Sequence, residues 1–258
     1  MTMEINQPRT TLPDTSIELT GPTQLAYWMV RNWIVIFAIA MGIYIGLPFL
    51  APLFMNWGWI GAARVIYWIY SFQCHQLPQR SFFLFGPNTM YSLSDIWAAG
   101  QSTLNPLILR QFIGSSELGW KVAWSDRMVY MYAGTLIFAL LWWPVRRRLR
   151  PLPWWGLILF LMPMFLDAST HFLSDLAGLG QGFRYSNLWL AEITNYALSP
   201  NFYSGNALGS FNSWMRLITG LLFGLGVVWF GFPYVHEWFQ ETARLMRARS
   251  QPKANQSW

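Results

Sequence analysis

Four apolar stretches, approximately 32–54, 128–143, 154–173 and 214–232, dominate the folding possibilities of this chain. A helix of about 20 such residues crosses the hydrocarbon of a bilayer. Inside hydrocarbon the backbone must satisfy its own hydrogen bonds, so stretches of this kind cross as helices. Tryptophans stand near their ends (Trp33, Trp142, Trp143, Trp154, Trp155 and Trp214), where amphipathic rings settle at the headgroup layer. Only 11% of the residues are charged while 18% are aromatic, a balance that excludes an ordinary soluble domain. The fold class expected is an all-α polytopic membrane bundle, with the lipid bilayer as its first partner.

Basic residues orient the bundle. The short connection after the second stretch carries Arg146, Arg147, Arg148 and Arg150 with no acid, and the tail carries Arg244, Arg247, Arg249 and Lys253. By the positive-inside rule both are cytoplasmic, which puts both termini in the cytoplasm and the chain in the plasma membrane as a multi-pass protein. The net charge of +6 is explained by these juxtamembrane arginines and calls for no nucleic acid. Residues 1–31 read as a polar cytoplasmic segment rather than a signal peptide, 32–232 as one membrane domain, and 233–258 as a basic cytoplasmic tail. Two long connections, 55–127 and 174–213, then fall on the outer side. Residues 57–72 in the first are apolar but short for a span and carry Arg64, so an interfacial or re-entrant helix is expected there. The second is rich in aromatics that need burial, which points to a folded cap. The single cysteine, Cys74, excludes an intrachain disulfide.

Ionisable residues inside such a bundle are costly, and Asp167 is the most conspicuous. It lies in the apolar run that starts at Trp154 and opens the pattern Asp167-x3-His171-x3-Asp175, which places three ionisable groups on one helix face. Ionising an acid near mid-bilayer costs roughly 2.5–3.5 kcal/mol on insertion scales, so a partner, a use or both are expected. An ion pair with Arg127 or Arg216, or a hydrogen-bonding role at the kink made by Pro163, are the structural readings. Arg127, Asn212 and Arg216 start the second and last spans at the same outer level, and Cys74, His75 and Arg80 follow the interfacial helix. The polar residues therefore converge on one outward-facing region. The patterns Gly42-x3-Gly46 and Gly220-x3-Gly224 are expected to let helices approach closely.

The segment Cys74-His75-Gln76-Leu77-Pro78-Gln79-Arg80-Ser81 resembles the Cys-His-Gln-x-Pro-x-Arg-Ser hallmark of a family of prokaryotic membrane proteins, domain of unknown function 2085. The resemblance continues through Gly119–Arg127, through Leu161–Asp167 and through Asn212-x3-Arg216-x2-Thr219-Gly220. It implies a membrane protein and supplies no activity. Relatives often carry a second cysteine where this chain has Ser125, and a glutamine where it has His171. Those departures argue against an essential two-cysteine site and against His171 as a required ligand. His75, Arg80, Arg127, Asp167 and Arg216 match the pattern.

Three classes of function remain open at this level. In a membrane enzyme, His75 and Asp167 are the catalytic candidates, since histidine can act as acid or base near neutral pH. Arg80, Arg127, Arg216 and Asn212 would then hold an anionic ligand such as a lipid headgroup, and Cys74, His75, Asp167 and His171 could supply a divalent-metal site if the first outer connection folds onto the third span. In a transport component, Asp167 and the arginines would line a solute or proton path. In an assembly subunit, the polar core would fix the cap against a membrane-protein partner or a second copy.

Overall fold

A computed structural model describes residues 21–250. The first twenty residues of the expected polar segment, and 251–258 of the tail with Lys253, lie outside the described residues. Helices α1 (Gly21–Arg31), α2 (Trp33–Asn56) and α3 (Ile60–Ser71) come first. A 3-10 turn at Pro78–Arg80 and strand β1 (Ser81–Leu84) follow, then the short helices α4 (Leu93–Ala98) and α5 (Pro106–Leu109). Strands β2 (Gly114–Ser115) and β3 (Gly119–Ser125) lead into α6 (Asp126–Val145) and α7 (Trp154–Leu176). Three short helices, α8 (Phe183–Ser186), α9 (Leu188–Ile193) and α10 (Pro200–Tyr203), precede the long α11 (Phe211–Ser250).

The architecture is all-α with a small sheet, and α2, α6, α7 and α11 are the four helices long and apolar enough to cross a membrane. Their mean hydropathy runs from 1.5 to 2.4 although little of each is buried within the protein, the combination expected of surfaces that face lipid. The described residues divide into two compact units, one formed by 21–36 and 234–250 and the other by 37–233. In the smaller unit Trp33 stacks on Phe239 and its indole N–H donates to His236 Nδ1 at 3.2 Å.

The larger unit holds the site. Within it α6 and α11 run parallel, because residues 130–131 meet Gly220 and residues 134–135 meet Gly224. A Cβ on Gly224 would stand 2.5 Å from the Thr135 nitrogen, so glycine is what allows the two backbones to touch. The other expected packing motif is corrected: a Cβ on Gly42 or Gly46 would meet nothing within 4 Å. Those two glycines lie on the exposed face of α2 with Ile39 and Ile43. Helix α7 packs on α11 through Phe160, which meets Gly226 and Trp229.

Both long connections are folded. In the first, the apolar run at 57–72 forms α3, whose buried face is Ala63, Ile66, Tyr67 and Tyr70. A three-stranded antiparallel sheet of order β1-β3-β2 follows it, with Phe83 opposite Lys121 and Leu84 opposite Trp120. No strand is evident in the sequence here, since β3 buries Val122, Ala123 and Trp124 in succession and shows none of the alternation of a half-buried strand. Trp124 stacks on Tyr132 of α6 and meets Tyr44 and Tyr70 edge-on, which locks sheet, α2, α3 and α6 into one core. In the second connection Asn187, in a left-handed conformation at φ 43°, donates its side-chain amide to the Arg184 and Tyr203 carbonyls. The Tyr203 hydroxyl in turn accepts from the Leu198 N–H at 3.0 Å.

Candidate functional site

The Cys74–Ser81 segment owes its shape to Gln76. Its backbone turns through φ 51°, and its side-chain amide donates to the Tyr67 and Ala123 carbonyls at 2.9 Å each, pinning the loop between α3 and β3. The Gln76 carbonyl accepts from the Lys121 ammonium at 2.8 Å, and the Arg110 carbonyl accepts from it at the same distance. Lys121 is fully buried, and desolvation pushes its pKa down to about 7. The turn leaves the Cys74 sulfur 3.3 Å from the Ser125 hydroxyl, accepting from the Gln76 and Ser125 amides at 3.4 Å. His75 is exposed, and its ring makes no hydrogen bond among the described residues. Pro78 then starts the 3-10 turn that delivers Arg80 toward α7.

Three carboxylates and four guanidiniums meet beside this loop. Arg80 grips Asp175 with both terminal nitrogens, at 2.8 and 2.9 Å. The Tyr185 hydroxyl lies 3.3 Å from the same carboxylate, and burial pushes that phenol up while Arg80 opposes the shift. Arg216 Nε contacts both oxygens of Asp126 at 2.8 Å, and its terminal nitrogens donate to the Asn206 side-chain and backbone oxygens. Asp167, with its side chain 1% exposed, holds Arg127 at 2.7 Å and Arg184 at 2.5 Å. Two cations on one carboxylate answer the question the sequence posed about this acid, since a buried charge is tolerated when it is paired.

Arg184 is absent from the sequence-level candidates. The only signal for it is a lone basic residue inside the aromatic cluster Phe183-Arg184-Tyr185, facing a helix with an unexplained acid. Its placement depends on Gly182, where a Cβ would fall 2.0 Å from the Ser174 carbonyl oxygen. That approach brings the Ser174 hydroxyl to 3.0 Å from the Arg184 N–H. The partners also differ from one of the two expected. Arg127 does pair with Asp167, whereas Arg216 is committed to Asp126.

A cavity of about 210 Å³ opens over this network, lined among others by Cys74, His75, Arg80, Arg127, His171 and Arg216. Six of the sequence-derived residues are thus gathered at one place. Asp167 sits behind the wall and reaches the cavity through Arg127. Asn212 does not line it; its amide donates to the Arg184 and Gly205 carbonyls and so ties the second connection together. The expected metal set is not assembled. Among the described residues no three His, Cys, Asp or Glu side chains are grouped to hold an ion. The Asp167 oxygens are occupied by arginines, and His171 Nε2 lies 3.0 Å from an Arg184 nitrogen. A guanidinium only donates, so Nε2 is the acceptor and the His171 proton resides on Nδ1, which is buried without a partner.

Arg127 differs from the other arginines. One nitrogen serves Asp167, and its Nε and Nη1 make no hydrogen bond among the described residues. Its side chain is 16% exposed, against 1% for Arg216 and 8% for Arg184, and Arg80, at 14%, has both terminal nitrogens on Asp175, so the unused guanidinium donors that reach the cavity are those of Arg127. The cluster also holds one more guanidinium (Arg80, Arg127, Arg184, Arg216) than carboxylate (Asp126, Asp167, Asp175).

These features define a helical membrane protein with a polar cavity among its helices and their connections. Residues 116–230, a little under half of the chain, match the family described as "Predicted membrane protein (DUF2085)", the family the sequence resembles. The matched region contains Asp126, Arg127, Asp167, Arg184 and Arg216, while Cys74–Arg80 precedes it. No curated protein and no solved structure matches the chain.

Proposed function

We propose that this membrane protein binds a small anionic ligand, a phosphate- or carboxylate-bearing molecule or a lipid headgroup, in the cavity beneath His75. The observation that carries the reading is Arg127: a guanidinium fixed on one side by Asp167, with free donors toward a cavity where cations exceed anions by one. An arginine preorganised in this way accepts an oxyanion without first paying the entropy of ordering its own side chain. Arg80 and Arg216 add positive field at the cavity wall, and exposed His75 supplies a further donor at its mouth. In this reading the termini are cytoplasmic, as the arginine distribution favours, and the cavity opens on the outer face of the plasma membrane.

Binding is tested by titrating the purified full-length protein in detergent with inorganic phosphate and with glycerol phosphate, read by calorimetry. Saturable binding that weakens about tenfold in Arg127→Gln, as loss of one charge-assisted contact implies, supports the reading. Equal affinity in wild type and Arg127→Gln, or no binding of either anion or of a phospholipid headgroup, refutes it. The native cysteine tests the orientation. A membrane-impermeant thiol reagent should label Cys74 in intact cells, with Cys74→Ser as the blank, and ligand should protect it. Labelling that requires permeabilised cells would reverse the orientation.

A further inference from the structure

A second cationic recess lies on the other side of Gln76. It is a cleft of about 540 Å³ lined by Arg64, Tyr67 and Trp68 of α3, by Gln76, and by Leu107 and Arg110 of the α5 region, with no acid among its lining residues. Arg64 is exposed and makes no hydrogen bond or ion pair among the described residues. Arg110 donates one terminal nitrogen to the Ser71 carbonyl at 3.0 Å, and its remaining donors are unengaged among the described residues. The buried Lys121 lies behind this wall, bonded to backbone oxygens of two lining residues.

The surroundings of Arg64 distinguish this cleft from a site for a free ion. Helix α3 begins four residues after the membrane-crossing helix α2 ends, which holds it near the level where a span meets the headgroup layer. Its exposed face carries Arg64, Val65, Trp68, Ile69 and Phe72, so the cation stands in line with large apolar side chains one and two turns away. Leu107 is exposed on the facing wall. An apolar stripe with a basic residue and tryptophan at its polar margin is the surface of a helix that lies in the membrane interface. We infer that this cleft is an anionic-phospholipid site, with Arg64 and Arg110 receiving the lipid phosphate and the acyl chains lying along Trp68, Ile69 and Phe72. The α3 helix is thereby a lipid-anchored clamp on the loop that carries Cys74 and His75.

The test uses the full-length protein in detergent and native mass spectrometry with added phosphatidylglycerol or phosphatidylcholine. Phosphatidylglycerol should be retained in preference to phosphatidylcholine, and Arg64→Gln should reduce its retention about fivefold, the effect of one basic residue near an anionic headgroup. Arg64→Lys should keep most of it. Because Arg64 has no partner among the described residues, Arg64→Gln should melt like wild type, which separates lost binding from lost folding. Any retention that Arg127→Gln removes belongs to the other cavity, so Arg64→Gln should cause the same fold-loss in an Arg127→Gln background. Equal retention by wild type and Arg64→Gln overturns the proposal, and so does equal retention of the two lipids. Displacement by millimolar inorganic phosphate would make the occupant a free anion and also overturn it. Loss in Arg127→Gln but not Arg64→Gln would assign the lipid to the cavity beneath His75 and refute this cleft.

Discussion

Asp167→Asn removes the single carboxylate that neutralises both Arg127 and Arg184 while keeping the shape of the side chain. In the variant Arg184, 8% exposed, retains only neutral contacts, to His171 Nε2 and at 3.4 Å to the Thr170 hydroxyl. Removing one member of a buried pair costs about 3–5 kcal/mol, most of it the burden of the stranded charge. For a chain of this size each kcal/mol lowers Tm by about 2–4 °C, so a fall of roughly 10 °C is expected. The two arginines should contribute unequally. Arg184→Met leaves Asp167 with Arg127 and should cost about 2 kcal/mol, whereas Arg127→Gln, whose side chain is 16% exposed, should cost about 1 kcal/mol. In the double variant Asp167→Asn/Arg184→Met the more deeply buried stranded charge is gone and only the more exposed Arg127 is left unpaired, so about 2 kcal/mol of the summed losses should be recovered. Thermal unfolding in detergent, followed by tryptophan fluorescence, reads the wild type and all four variants. An Asp167→Asn variant that melts within about 2 °C of wild type, or a cycle with no coupling, would refute the pairing on which the site is built.

Gly224→Ala should destabilise by about 1–3 kcal/mol because its Cβ would stand 2.5 Å from the Thr135 nitrogen, whereas Gly46→Ala should be neutral or stabilising by up to about 1 kcal/mol; the same melts check both. Stability should also rise with pH through Lys121. Its folded-state pKa of about 7 lies below the ordinary 10.5, so between those values the unfolded chain binds more protons and each step up in pH favours the fold. The gain from pH 6.5 to 9.5 should be on the order of 3 kcal/mol, flat below about 7, and absent in Lys121→Met. A pH dependence that survives Lys121→Met would remove Lys121 as its source.

The four membrane-crossing helices were legible because burial in lipid needs only length and hydropathy, with no periodicity to decode. Their ends were less so. Helix α11 continues to Ser250 although apolar residues thin out after Phe232, because hydropathy marks where a helix can meet lipid and says little about where its hydrogen-bonded ladder stops. The sheet was hidden because β3 is buried on both faces and only seven residues long. At the site, residue types at one level of the bundle sufficed to gather Cys74, His75, Arg80, Arg127, His171 and Arg216. Which arginine serves which aspartate was not readable, since it depends on helix rotation and on the fold of the second connection. Arg184 illustrates the limit, for it reaches Asp167 only through the turn at Gly182 and the support of Ser174, Asn187 and Asn212.

The same pairing separates what holds the protein together from what it offers to a ligand. A charge taken out of water is tolerated in proportion to how completely its partners satisfy it. Arg216 and Asp126 are buried and bonded on several sides, and Arg80 and Asp175 close on each other in a bidentate pair, so these groups are structural struts with little left to donate. Arg127 and Arg64 break that pattern: each keeps unengaged donors, and each keeps them facing an open recess. Asp167 makes the consequence concrete. Because it orders Arg127 at the cavity wall, Asp167→Asn should weaken the fold and anion binding alike, whereas Arg127→Gln should lose about tenfold in binding for only about 1 kcal/mol of stability. A network that served only to hold the helices would bind no anion for Arg127→Gln to lose.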